Sequence, residues 1–181
     1  MARAHFVKSA RKDNPVAKKG ESYWWWKPMI GGRGGPKRYS KERPKPSQMT
    51  QSAFLSVIYG AGEQLAEADD PETFRTIAQE VRDAGEEAQG SYDNMPEGLQ
   101  QGDTGQMLEQ RSQSAERWAD HIESVADELE TKLSEIEEMD AESLELEDDA
   151  EESEIEEARE QKRAEAIDEA RQSAEDNNDC E

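Results

Sequence analysis

The charge of this chain is divided at one point along its length. Residues 1–47 carry 13 Lys/Arg and 3 Asp/Glu, a net of +10. Residues 48–181 carry 9 Lys/Arg and 41 Asp/Glu, a net of −32. An overall pI near 4.4 therefore hides a strongly basic head. Such asymmetry assigns the two parts separate electrostatic jobs, or lets head and tail attract each other.

Apolar content sets the second limit. Leu, Ile, Val and Phe supply 23 of 181 residues, about 13 %, below the roughly 20 % that separates globular from disordered chains at high net charge. With a net charge of −22 and a mean hydropathy of −1.14, burial cannot offset the entropy of ordering every residue. The expected fold class is mainly α with a small N-terminal β-hairpin. A basic hairpin–helix module is followed by long acidic helices, partly disordered.

The single Cys180 cannot form an internal disulfide, so nothing implies an oxidising compartment. No run approaches the ~18 apolar residues that span a bilayer, and the opening MARAHFVKSARK lacks the apolar core of a secretory signal. No membrane association is expected. Cytoplasmic residence is the default.

Along the chain, residues 1–20 read as a flexible basic arm. Residues 21–27, ESYWWWK, give the strongest strand signal, with Tyr23 and Trp25 on one face and Trp24 and Trp26 on the other. Gly31, Gly32, Gly34 and Gly35 make a turn around Arg33, and residues 37–41 pair back as a second strand. A lone hairpin is marginal in water, so a helix is expected to cover one aromatic face. That helix is capped at Ser47 or Thr50 and runs through about residue 67, with Gly60 and Gly62 weakening it. The next begins at Asp70 as N-cap, Pro71 at N1 and Glu72 in the first turn, with Phe74, Ile77, Ala78 and Val81 as its stripe. These elements form a candidate folded module, residues 21–89.

Residues 90–105 read as a linker, and 106–139 as a long amphipathic helix starting near Thr104. On a heptad frame, Leu108, Ala115, Ile122, Leu129 and Ile136 share one seam; Arg111, Trp118, Val125, Lys132 and Met139 share the other. With Arg111 and Lys132 in the second seam, the pattern is either a broken coiled coil able to self-associate or one helix packing on the rest of the chain. Residues 140–181 read as an acidic tail, partly helical or disordered.

Chemistry is sparse. His5, His121 and Cys180 lie far apart in sequence, and no nucleophile–base pair or zinc spacing is visible. Acids are so abundant that a carboxylate pair carries no signal. The GGRGG run lacks the Lys-Ser/Thr of a phosphate loop. No catalytic residue, metal or cofactor is expected. The informative cluster is Tyr23, Trp24, Trp25, Trp26, Lys27, Arg33, Lys37, Arg38, Tyr39 and Lys41. Cations neutralise phosphates and flat rings stack on exposed bases, so the cluster suits nucleic acid, single strands above all, or a nucleic-acid-processing protein. The same rings also suit the core of a tiny domain or a protein-docking patch. The acidic part suits a solubilising tail, a polyanion competing for the basic head, or a DNA mimic.

Residues 10–54 contain ARKD, KKGE before the Trp run, GG before a basic SK pair, and PKPSQ-x-T-x-S-x-F. This run resembles the opening of a group of small uncharacterised proteins of tailed bacteriophages and related mobile elements. The strand–turn–strand–helix order is also similar to the arm-type DNA-binding domain of phage integrases, which has three strands where two are read here. The resemblance covers about a quarter of the chain and brings no established activity with it. Together with the cation–aromatic cluster and the charge division it leads to the expectation of a non-enzymatic phage-type accessory protein in the host cytoplasm, its basic aromatic head contacting nucleic acid and its acidic helices modulating that contact. The alternative is an acidic DNA-mimic inhibitor or a helical scaffold.

Overall fold

A computed structural model describes residues 2–30, 33–144, 146, 151–176 and 178–180, with the backbone path alone for 29, 30, 33 and 34. It is mainly helical, with a small antiparallel sheet at the N-terminus and long helices after it. The elements are β1 (His5–Val7), β2 (Tyr23–Trp26), β3 (Met29–Ile30), β4 (Arg33–Gly34), β5 (Arg38–Ser40), α1 (Pro46–Met49), α2 (Ala53–Leu65), α3 (Pro71–Asp93), α4 (Glu97–Gln100), α5 (Asp103–Glu138) and α6 (Glu152–Glu175). No helix among the described residues is long and apolar enough to cross a membrane.

The chain divides into two units, residues 1–60 and 61–181, with the division inside α2. Residues 48–60 carry no charged side chain, so the units inherit the +10 and −32 of head and remainder. The expected module over 21–89 is thus split: α3 belongs with the acidic helices, because its apolar stripe packs on α5. Two further boundaries differ. The expected linker over 90–105 contains the end of α3, the short α4 and the start of α5. The helix after the sheet is two helices, with Ser52 Oγ accepting from Leu55 N at 3.3 Å in place of a Ser47 or Thr50 cap.

In the N-terminal unit, β2 is central, flanked antiparallel by β1 and β5. The expected hairpin is β2–β5, with Trp24 opposite Ser40, Trp25 opposite Tyr39 and Trp26 opposite Arg38. The β3–β4 ribbon pairs Met29 with Gly34 and Ile30 with Arg33. That register is one residue out of step with β2–β5, which places a bulge between the ladders where Pro28 and Pro36 lack an N–H to donate. Gly31 and Gly32 of the expected turn lie outside the described residues. The third strand lies in what reads as a flexible arm: His5, Phe6 and Val7 pair with Trp25, Trp24 and Tyr23. The path back to β2 is held by Ala10 N donating to Glu21 O at 2.8 Å and Gly20 N donating to Ala10 O at 2.9 Å. Gly20 makes that turn at φ +96°, where a side chain is strained.

In the C-terminal unit, the Asp70 cap forms as the sequence indicates. Its Oδ1 accepts from Thr73 N at 2.9 Å and its Oδ2 from Thr73 Oγ1 at 2.5 Å. Phe74, Ile77, Ala78 and Val81 are buried, and the helix runs on to Asp93. A Cβ on Gly85 would lie 3.0 Å from Ala115 Cβ, so a glycine is what admits α5 at this crossing. The two heptad seams of α5 reach two neighbours, α3 and α6. Ala115, in the first, meets α3 at Gly85. In the second, Trp118, Val125 and Lys132 meet α6: the Trp118 indole donates to Ala174 O at 2.8 Å, Val125 lines a crevice with Ala166 and Ala170, and Lys132 pairs with Glu169 at 2.7 Å. The packing is that of one helix on the rest of its own chain.

Helix α6 has little apolar surface, since its buried residues are Ala166, Ala170 and Ala174. It is tied on by polar contacts. A helix leaves its last four carbonyls without intrahelical donors; at the end of α6 the carbonyls of Ala174 and Ser173 meet Trp118 Nε1 and His121 Nε2, both at 2.8 Å. Arg159 of α6 returns the arrangement by donating to the Met139 carbonyl that ends α5. Trp118→Phe removes one donor and leaves a buried carbonyl unsatisfied, which costs about 1–3 kcal/mol. Chemical denaturation is expected to show that loss, with hydrogen exchange rising first in residues 166–174. Gly62→Ala, where a Cβ meets nothing within 4 Å, is expected to raise stability by roughly 0.5–1 kcal/mol.

Candidate nucleic-acid interface

Strand alternation sorts the aromatic side chains by face. His5, Trp25 and Tyr39 lie opposite one another across the three strands, with Val7 and Tyr23 in the next row of that face. Phe6, Trp24 and Ser40 form a row of the other face, with Trp26 and Arg38 beside it.

Two aromatic pairs repeat a motif. The His5 and Trp25 rings stack at 4.4 Å with 13° between planes, and Lys37 Nζ sits 4.0 Å from the Trp25 centroid. On the other face the Phe6 and Trp24 rings are 5.0 Å apart, with the Arg43 guanidinium 6.0 Å from the Trp24 centroid. Each of these half-buried indoles therefore has a β1 ring and a cation against it. Tyr23 and Tyr39, also half-buried, are 6.0 Å apart. Phe6 is the outermost part of this surface at 55 % exposure.

Trp26 is different. It is 4 % exposed, and its indole donates to Gln48 O at 3.1 Å. With buried Pro28 and Pro44 it forms part of the unit's core rather than its surface. The covering element is therefore the segment of Pro44 to Gln48, not a long helix.

The expected cations also separate. Lys37 is on the aromatic face. Arg38 is exposed and reaches Gln48 O at 3.4 Å. Lys27 is exposed. Arg33 lies in β4 by its backbone, and its side chain lies outside the described residues. Lys41 pairs with Glu21 at 2.5 Å, so its charge is already partnered. Sequence reading missed His5, Phe6 and Arg43. Three β-prone residues in a basic arm are too short a signal for a strand, and Arg43 is sorted by a pairing that only the fold creates.

Cys180 is buried, which pushes its thiol up to about 11, with Asp179 adding to the rise and Arg117 opposing it. No group of three or more His, Cys, Asp or Glu is placed to hold a metal ion among the described residues. Comparison with protein-family models, with curated proteins and with solved structures gave no match.

The Lys41 hydrogen bond, then the Lys18 backbone N–H, hold the Glu21 carboxyl below the usual carboxylate range. A depressed carboxylate contributes its stabilisation above the unfolded value and loses it as pH falls through the folded one. Carboxyl NMR titration is expected to show Glu21 protonating below the usual carboxylate range, and Lys41→Met is expected to return it toward that range.

Proposed function

We propose that the N-terminal unit is a nucleic-acid contact module, favouring single strands, in a non-enzymatic accessory protein of the phage type that works in the host cytoplasm. The observation that supports this reading is the repeated ring–indole–cation motif on a unit of net charge +10. A cation over an exposed ring is held by only ~0.5–1 kcal/mol, whereas a base stacked on an aromatic side chain gains about 1–3 kcal/mol. Lys37 can therefore leave Trp25 for a phosphate while a base takes the ring area. Both groups act on the same bound strand, and the exchange runs downhill.

The sheet has three strands, the number found in the arm-type integrase domain, whose order of elements this head resembles. The acidic unit opposes the contact by charge: 41 carboxylate side chains in the same chain compete with phosphates for the head's cations. The scaffold alternative has less support. Of the seam residues that would carry self-association through 106–139, Ala115, Trp118, Ile122, Val125, Leu129 and Ile136 are already buried within their own chain.

Duplex hides base faces and single strands offer them. Trp25→Ala is therefore expected to weaken a single-stranded oligonucleotide by roughly 5- to 150-fold, the equivalent of about 1–3 kcal/mol, and duplex far less. Fluorescence anisotropy at low salt measures both. Equal loss on the two substrates would remove the stacking role.

A further inference from the structure

We infer that the cleft bounded by Arg11, Lys12, Asn14, Tyr23 and Tyr39 is a phosphate subsite, holding a phosphate of the strand whose bases lie on the aromatic face. The inference rests on the nucleic-acid reading above and adds to it where the strand's backbone is gripped. Its wall is ordered by Asn14. The side-chain Oδ1 accepts from Val16 N at 3.0 Å and from Ala17 N at 2.9 Å, while the backbone N–H of Asn14 donates to Ala17 O at 2.9 Å. These bonds fix the amide, so Nδ2 can act only as a donor. That Nδ2 is shielded from solvent and has no hydrogen-bond partner among the described residues. Asn14 thus orders the loop that carries Arg11 and Lys12 to the cleft, and its buried amide reports on that loop.

The other lining residues name the ligand. Arg11 and Lys12 are exposed at the cleft and supply positive charge. Asp13 also lines it and would repel an anion, but its Oδ1 accepts from Lys19 N at 2.7 Å, and the two cations outweigh it. Tyr23 and Tyr39 also line the cleft, and Tyr39 stands in the same cross-strand row as Trp25 and His5. One ligand meets all of these at once: a phosphate attached to a ring able to stack. The cleft is framed by residues 9–21, which the backbone bonds from Ala10 and Gly20 close into a loop.

The test uses full-length, isotope-labelled protein and follows the Asn14 side-chain amide by NMR during titration with inorganic phosphate, then a mononucleotide, then an oligothymidylate. All three are expected to shift that signal, the oligonucleotide at the lowest concentration. Arg11→Gln with Lys12→Gln is expected to weaken all three at least tenfold; both residues are exposed, so the fold is retained. Trp25→Ala is expected to weaken the oligonucleotide and leave inorganic phosphate unchanged. An oligonucleotide that binds without moving Asn14 would overturn the subsite and leave the nucleic-acid reading standing. Phosphate moving Asn14 while no oligonucleotide binds would support an anion site and overturn the nucleic-acid reading. A silent Asn14 with no oligonucleotide binding would overturn both.

Discussion

The separation of charge between two folding units governs the rest of this structure. A net of −32 over residues 61–181 opposes any compact arrangement of the acidic helices. The few cations in that unit are placed where they relieve most. Arg75 on α3 contacts Asp127 and Glu130 on α5, and Arg82 contacts Asp120 and Glu123. Both arginines are seven residues apart, as are their acidic partners, which sets one register for the antiparallel pair. Each guanidinium stands between two carboxylates and is held charged, its pKa raised first by the Asp127 or Asp120 hydrogen bond. Such solvent-facing pairs add little to stability one by one. Their effect is to specify the pairing, while Phe74, Ile77, Val81, Trp118, Ile122 and Leu129 supply the burial.

The basic unit faces the opposite shortage. In its three-stranded sheet Val7 is the one apolar residue that is not aromatic, and a two-stranded hairpin does not stand alone. A third strand, the indole of Trp26 and a loop closed by main-chain bonds supply what a large core would supply elsewhere. Committing one indole to the interior leaves the other two half-exposed, where the nearest groups able to cover them are β1 rings and the cations of a basic segment. The same economy that stabilises the sheet thus produces an aromatic surface carrying positive charge.

Much of the helical unit was legible in the sequence. Asp70-Pro71-Glu72 marked the start of α3, and apolar spacing marked both α3 and α5, because local capping and periodicity settle them. The Trp strand and its alternation were legible for the same reason. The rest depended on partners distant in sequence. Pairing of His5–Val7 leaves no mark in three residues. Burial of Trp26 but not Trp25 depends on the turn that brings Gln48 over one indole. The docking of α6 uses main-chain carbonyls at Ser173 and Ala174, which no side-chain pattern reveals. Of the candidate site, the residues were named but not sorted: Trp26 proved to be core, Lys41 is paired with Glu21, and the rings of His5 and Phe6 were absent from the reading.

The most direct measurement is the salt dependence of full-length protein binding to a fluorescent single-stranded oligonucleotide. The account predicts binding at low salt whose log K falls linearly with log salt concentration, by about 0.7 for each phosphate neutralised. Absence of binding at low salt, or an affinity indifferent to salt, would contradict it.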